Sequence, residues 1–395
     1  MPDVFTKTTH NSWGSRIKDS FKGILVGLLL FLISFPLLFW NEGRAVKMHK
    51  SLEEGANNVI SVSINSIDST NENKLIHITG KADTSDVLSD PAFVVTSTAI
   101  KLNRIVEMYQ WEEKTSSETT KNYGGSSDTE TTYSYDKTWS KKLIDSSSFE
   151  FPSDHENPSS MPYENQELYA ENVNVGAFAL TPALIKRIGG ATKLPLTDDN
   201  MEALSDDEVW TAEIQNGTLY LGDPASPQIG DLRISFEVTK PTNVSIVSQQ
   251  HGDSFVPYQA KAGAAVELLE MGDVSSEQMF QNAIQANKVM TWILRLLGFF
   301  LMFVGLALML KPLSVFGDVL PFLGNAIGMG TGLLAGLISV ALTLITIAIA
   351  WLFYRPLLSI ILLVIATAAI TAIVTLIKKK KGTTTDNTST NNQTT

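Results

Sequence analysis

The sequence predicts a membrane protein with four transmembrane helices, one N-terminal and three C-terminal, plus a large α+β, mostly antiparallel extracytoplasmic domain. Three observations carry this. Trp292–Ile377 is overwhelmingly apolar, Gly23–Trp40 is a second apolar run, and the residues between them alternate apolar with polar. A helix rises about 1.5 Å per residue, so roughly 20 apolar residues cross a hydrocarbon core about 30 Å thick. Backbone amides cannot go unpaired in lipid, so helices are the expected solution.

The N-terminal arm, residues 1–22, is polar and reads as cytoplasmic. The span 23–40 ends in Trp40-Asn41-Glu42-Gly43-Arg44 rather than a small-residue cleavage site, so it reads as a retained anchor. Gly23 and Gly27 are spaced to let another helix approach closely. The C-terminal apolar region divides into spans at 291–310, 319–353 and 357–377. A basic, Thr/Asn-rich tail, 378–395, follows and reads as disordered and cytoplasmic.

Positive charge orients the spans. Lys7, Arg16, Lys18 and Lys22 precede the first, Lys311 lies between the second and third, and Lys378–Lys381 follow the last. Placing all of them inside puts both termini in the cytoplasm and the 41–290 domain outside. Asp318 then lies on the inner surface, beside Lys311.

That domain carries 19 basic and 37 acidic residues, a net charge of −18. Such a balance disfavours nucleic acid and anionic lipid. A helix, Ala45–Asn58, continues out of the first span. Strand patterning follows at Val59–Ile64, Leu75–Thr79, Phe93–Lys114 and Thr132–Trp139, with 115–131 a mobile Ser/Thr/Gly-rich hairpin tip. Residues 152–166 read as an irregular Pro-containing loop. Thr181-Pro182 opens a short helix as N-cap and first residue. Asp198–Glu208 reads as an acidic helix or loop. Further strands are expected at 210–214, 218–221, 232–238, 244–250, 255–260 and 265–270, then a helix from Glu277 to Met290.

In the membrane, Gly324, Gly328, Gly332 and Gly336 recur every fourth residue, which predicts close packing against another span or another copy; a flexible hinge at Gly328 and Gly330 is the rival reading. Arg295 lies about one turn inside the second span. It requires snorkelling or a partner, with Glu42, Glu277 and lipid phosphate as candidates. Trp292, Trp351, Tyr354, Arg355 and Pro356 read as interface residues.

Signals for chemistry are poor. The chain has no Cys, and its five His are not at metal-ligand spacing. No nucleophile elbow or phosphate-cradling loop is present, so no catalytic, cofactor or metal residues are assigned.

Several motifs resemble the LUMA, or transmembrane protein 43, family. They are Phe21–Gly27, Phe39–Val46, Met108–Trp111, Gly176–Phe178, Gly222-Asp-Pro with Gly230–Phe236, Thr291–Arg295 and Trp351–Leu357. The resemblance implies the same four-span topology and no catalytic residues. It also implies self-association in organising a membrane, in eukaryotes the endoplasmic reticulum and inner nuclear membrane with lamins and emerin. The short Thr/Asn-rich tail suggests a bacterial member, whose domain would be periplasmic and which would lack those partners. The expectation is a homo-oligomeric membrane scaffold whose outer domain binds a partner or senses the envelope. The alternatives are an oligomeric channel or carrier for ions or lipid, lined by Thr331, Thr343 and Thr346, and a membrane-surface hydrolase.

Overall fold

A computed structural model describes residues 3–200, 212–356 and 360. The chain forms two compact units. One is a β unit of Met1–Arg16, Met48–Ala286 and Asp318–Pro321; the other is a helical unit of Ile17–Lys47, Asn287–Gly317 and the residues from Phe322 onward.

Among the described residues, three helices are long and apolar enough to cross a membrane. Helix α1 spans Trp13–Asn58; Ser12 caps it, its hydroxyl accepting from the Ser15 amide at 3.3 Å. Here the expected Ala45–Asn58 helix and the first span are one continuous element. Between α1 and the next span, α2 is Pro182–Arg187, capped by Thr181 as the sequence predicts. Helices α3, Ser276–Gly317, and α4, Pro321–Tyr354, correspond to the second and third predicted spans. The fourth, 357–377, and the tail, 378–395, lie outside the described residues, as does most of the acidic segment after Asn200.

The β unit holds two main sheets among the described residues. The larger has eight strands. In order, its main path is Asp3–Asn11, Ser127–Ser140, Lys101–Lys121, Leu232–Thr239, Thr218–Leu221 and Ala212–Gln215. Every pairing in it is antiparallel. The seven-stranded sheet centres on Leu75–Asp83 paired with Thr242–His251; its parallel contact joins Ile60–Ser61 to Ile76–His77. Alternation explains the packing: Leu232, Ile234, Phe236 and Val238 are buried while the residues between them are partly exposed. They meet Phe93, Leu102, Val106 and Phe178 in the main core. A smaller cluster gathers Leu52 of α1, Met279 and Phe280 of α3, and Leu75 and Val247 of the second sheet.

Two expectations are overturned. The first concerns residues 115–131, read as a mobile tip. The strands instead run to Lys121 and resume at Ser127, leaving only Asn122–Ser126 as the turn. Cross-strand hydroxyl pairs extend the ladder, Ser117 with Thr131 and Thr119 with Thr129, each 3.0 Å apart. Composition misled here, because Ser and Thr suit a solvated ribbon as well as a loop.

The second concerns residues 1–22, read as a cytoplasmic arm across the bilayer from the 41–290 domain. Asp3–Asn11 is a strand of that domain's own sheet, in register with Ser127–Tyr135. It covers what would be an open edge of the hairpin. Asp318, expected on the inner surface, is 1% exposed and ion-paired with Arg16 and with Lys121 of the hairpin, the latter at 2.8 Å. The arm, the turn and the hairpin tip thus meet within the β unit rather than apart from it.

Aromatic residues of the hairpin pack within the sheet. Tyr109 and Trp139 face one another across the strands with rings 5.1 Å apart, and the Arg233 guanidinium covers Trp139. Tyr135 is fully buried and stacks on His155 at 3.9 Å. Its hydroxyl donates to Glu113 and accepts from the Phe151 amide. Burial, then the Glu113 carboxylate, push the phenol up to about 12.

Candidate functional site

The polar groups inside the helical unit converge on one carboxylate. Glu42 on α1 is fully buried. Arg295 on α3 donates to it through two nitrogens, Nε to Oε1 at 2.6 Å and Nη2 to Oε2 at 2.9 Å. Trp351 on α4 donates its indole N–H to Oε2 at 2.8 Å. A single side chain thus ties three helices together. The fork of the guanidinium matches the carboxylate's two oxygens, a geometry Lys could not reproduce. Aromatic faces complete the shell: the Arg295 guanidinium lies 4.8 Å from the Trp292 ring centre and 6.0 Å from that of Trp351. Arg355 lies 5.9 Å from the Trp351 ring.

A second network lies alongside, on the same faces of α1 and α3. Asn41 donates to the Thr291 carbonyl at 3.0 Å. Arg44 donates to the Asn287 side-chain oxygen at 3.0 Å and to the Thr291 hydroxyl at 3.1 Å. Asn287 donates in turn to the Ala45 carbonyl at 3.0 Å. The helix period explains the alignment: 287, 291 and 295 fall four apart and share one face of α3. Beside Glu42, Gly43 leaves room for Tyr354, whose ring would lie 2.6 Å from a Cβ there.

The crossing of α1 and α3 is built on glycine. A Cβ on Gly27 would lie 2.6 Å from the Gly305 carbonyl oxygen; one on Gly305 would lie 2.7 Å from both the Gly27 oxygen and the Phe31 nitrogen. Backbones touch here because no side chain intervenes.

Of the residues singled out from sequence, Asn41, Glu42, Gly43, Arg44, Trp292, Arg295, Trp351, Tyr354 and Arg355 are brought together, and Glu42 is the partner Arg295 needed. Trp40 stands apart, 56% exposed, lining an apolar pocket of about 590 Å³ with Phe35, Pro36, Phe39 and Tyr354. Pro356 lies two residues past the end of α4, after Arg355. Gly27 packs closely as expected, whereas Gly23 only reaches ordinary contact with Leu308 at 3.9 Å. The Gly324–Gly336 ladder behaves unevenly. Gly324 accepts a hydrogen bond from Ser314 through its carbonyl, and a Cβ on Gly328 would meet that same hydroxyl at 3.0 Å. A Cβ on Gly336 would lie 3.7 Å from Phe303, and one on Gly332 would meet nothing within 4 Å among the described residues. Asn287 and Gly305 were missed. The signal for Asn287 was the four-residue spacing of polar side chains entering an apolar run; Gly305 offered only its residue type.

Both Glu42 oxygens are engaged by donors. Among the described residues no group of His, Asp and Glu could hold a metal ion.

The family profile described as transmembrane protein 43 matches residues 108–356, from the long hairpin through the end of α4. Transmembrane protein 43 of Homo sapiens is 37% identical over 359 residues, covering 88% of each chain. The Mus musculus protein is 38% identical, covering 87% of each, and the Drosophila melanogaster homolog is 29% identical, covering 85% of this chain and 89% of its own. No solved structure matches. With three apolar helices around an ion-paired core and this similarity along most of its length, the chain belongs to the transmembrane protein 43 family of multi-pass membrane proteins.

Proposed function

We propose that the chain is a self-associating membrane scaffold whose β unit binds a partner or senses its surroundings. The observation that carries the reading is a contrast within the helical unit. The Glu42–Arg295–Trp351 triad fixes three helices within one protomer, while a Cβ on Gly332 of α4 would meet nothing within 4 Å among the described residues. In lipid, association depends on close backbone approach and polar contacts rather than apolar burial. An unfilled small-residue position on a rigidly held helix suits a second copy. The mass of the detergent-solubilised complex tests this: more than one chain is expected, and Gly332→Leu should reduce that number. A monomeric wild type would end the reading.

The conduit reading gains no support from its proposed lining. The Thr343 hydroxyl points to Met302 Sδ at 3.7 Å, and Thr346 and Thr331 donate to carbonyls of their own helix.

A further inference from the structure

Four segments distant in sequence meet around one buried carboxylate of the β unit. Asp318, in the turn between α3 and α4, is paired with Arg16 at the start of α1 and with Lys121 at the end of the long hairpin strand. The hairpin tip completes the contact. The Gly124 amide donates to the Val319 carbonyl at 3.0 Å, Arg16 also donates to the Gly125 carbonyl, and Gly125 lies so close to the Trp13 indole that a Cβ would collide with it. Gly124 and Gly125 both adopt the left-handed conformation that brings their backbone to the turn. Next to the tip, the N-terminal strand is held by its ladder and by His10, whose ring lies 2.6 Å from the Asp128 carboxylate.

We propose that this arrangement is a latch: the hairpin tip and N-terminal strand grip the α3–α4 turn, so that turn, tip and strand share one aqueous compartment and move together. Asp318 is its positioning residue. Two cations from separate segments satisfy one buried anion, so removing the anion leaves both uncompensated and releases the turn. A movement of the β unit would then reach two membrane helices through their connecting turn.

The chain has no cysteine, so introduced thiols are the only ones present. Tyr123 at the tip and Leu320 in the turn are exposed, and each is replaced by Cys in the full chain in sealed membrane vesicles. A membrane-impermeant maleimide should label both from the same face, and a short bis-maleimide should join them. Adding Asp318→Asn should slow joining about tenfold or more, the scale of breaking a buried ion pair, and Asp318→Glu should restore much of it. Lys121→Gln, a milder change at a partly exposed side chain, should slow it by a smaller factor. Labelling of the two sites from opposite faces overturns the proposal, whatever the variants do. So does a joining rate that neither Asp318→Asn nor Lys121→Gln alters.

Discussion

The two units solve opposite problems. The β unit folds in water, and its core is apolar: Phe93, Phe178, Phe236 and the Leu, Ile and Val of two sheets are withdrawn from solvent. The helical unit displays its apolar side chains instead. Leu25, Leu29, Leu333, Leu337 and Leu344 are all exposed, and beside a few apolar residues such as Leu38 and Met302 it hides polar ones: Asn41, Glu42, Asn287 and Thr291. Lipid is as apolar as leucine, so burying leucine there gains little, whereas joining a carboxylate to a guanidinium gains much. Where the solvent inverts, so does the inside.

The sharpest test of that inversion is the ion pair. Replacing Glu42 with Leu should destabilise the solubilised protein by about 3–5 kcal/mol, because Arg295 keeps its charge without a partner. The double variant Glu42→Leu, Arg295→Leu should recover a large part of that loss. Thermal unfolding in detergent reads both, and a double variant worse than the single one would refute the account. Next come matched truncations. Phe236→Ala in the sheet core should cost about 3–5 kcal/mol, transfer and cavity terms together. Leu38→Ala, equally buried but among membrane helices, should cost roughly half the water-exposed range, since only lost packing remains. Equal costs would erase the comparison. Gly305→Leu separates the units in another way: it should disrupt the α1–α3 crossing while leaving the near-ultraviolet signal of the β unit's aromatic clusters in place. A smaller loss, about 1–2 kcal/mol, is expected for Tyr135→Phe, which takes the acceptor from the Phe151 amide and one of two donors from Glu113, the Glu150 amide remaining.

The smallest effect is a pH slope. His77 lies between Ser61, whose hydroxyl is 3.1 Å from Nδ1, and the Val274 carbonyl, 3.0 Å from Nε2. Burial holds its pKa below the usual 6.5. The folded state therefore takes up this proton less readily than the unfolded one. The contribution is present above the unfolded value and is lost as pH falls through the folded value. Melting temperature should drop on acidification below about 6.5, and the drop should shrink in His77→Gln. An unchanged slope would remove His77 from the explanation.

Much of the architecture was legible because it follows from local pattern. Runs of apolar residues announced the helices, and strict alternation in Leu232–Val238 and Thr218–Leu221 announced strands of nearly the observed length. The Thr181-Pro182 start of α2 came from capping chemistry alone. Arg295 could be recognised as needing a partner because a charge in lipid is costly. Glu277 shares α3 with Arg295 but lies about 27 Å from it along the helix, so the helix itself puts that acid out of reach. That Glu42, rather than lipid phosphate, is the partner was beyond the sequence, because only the packing of α1 on α3 brings it to Arg295.

What the sequence determined by itself was which solvent each stretch prefers, because the transfer free energy of a side chain depends on its chemistry and its period along one helix or strand. What the tertiary structure decided was pairing across distance. Asp3–Asn11 joined Ser127–Tyr135, Asp318 joined Arg16 and Lys121, and Gly27 found Gly305. Such pairings arise from the relative placement of segments hundreds of residues apart, which no local period records.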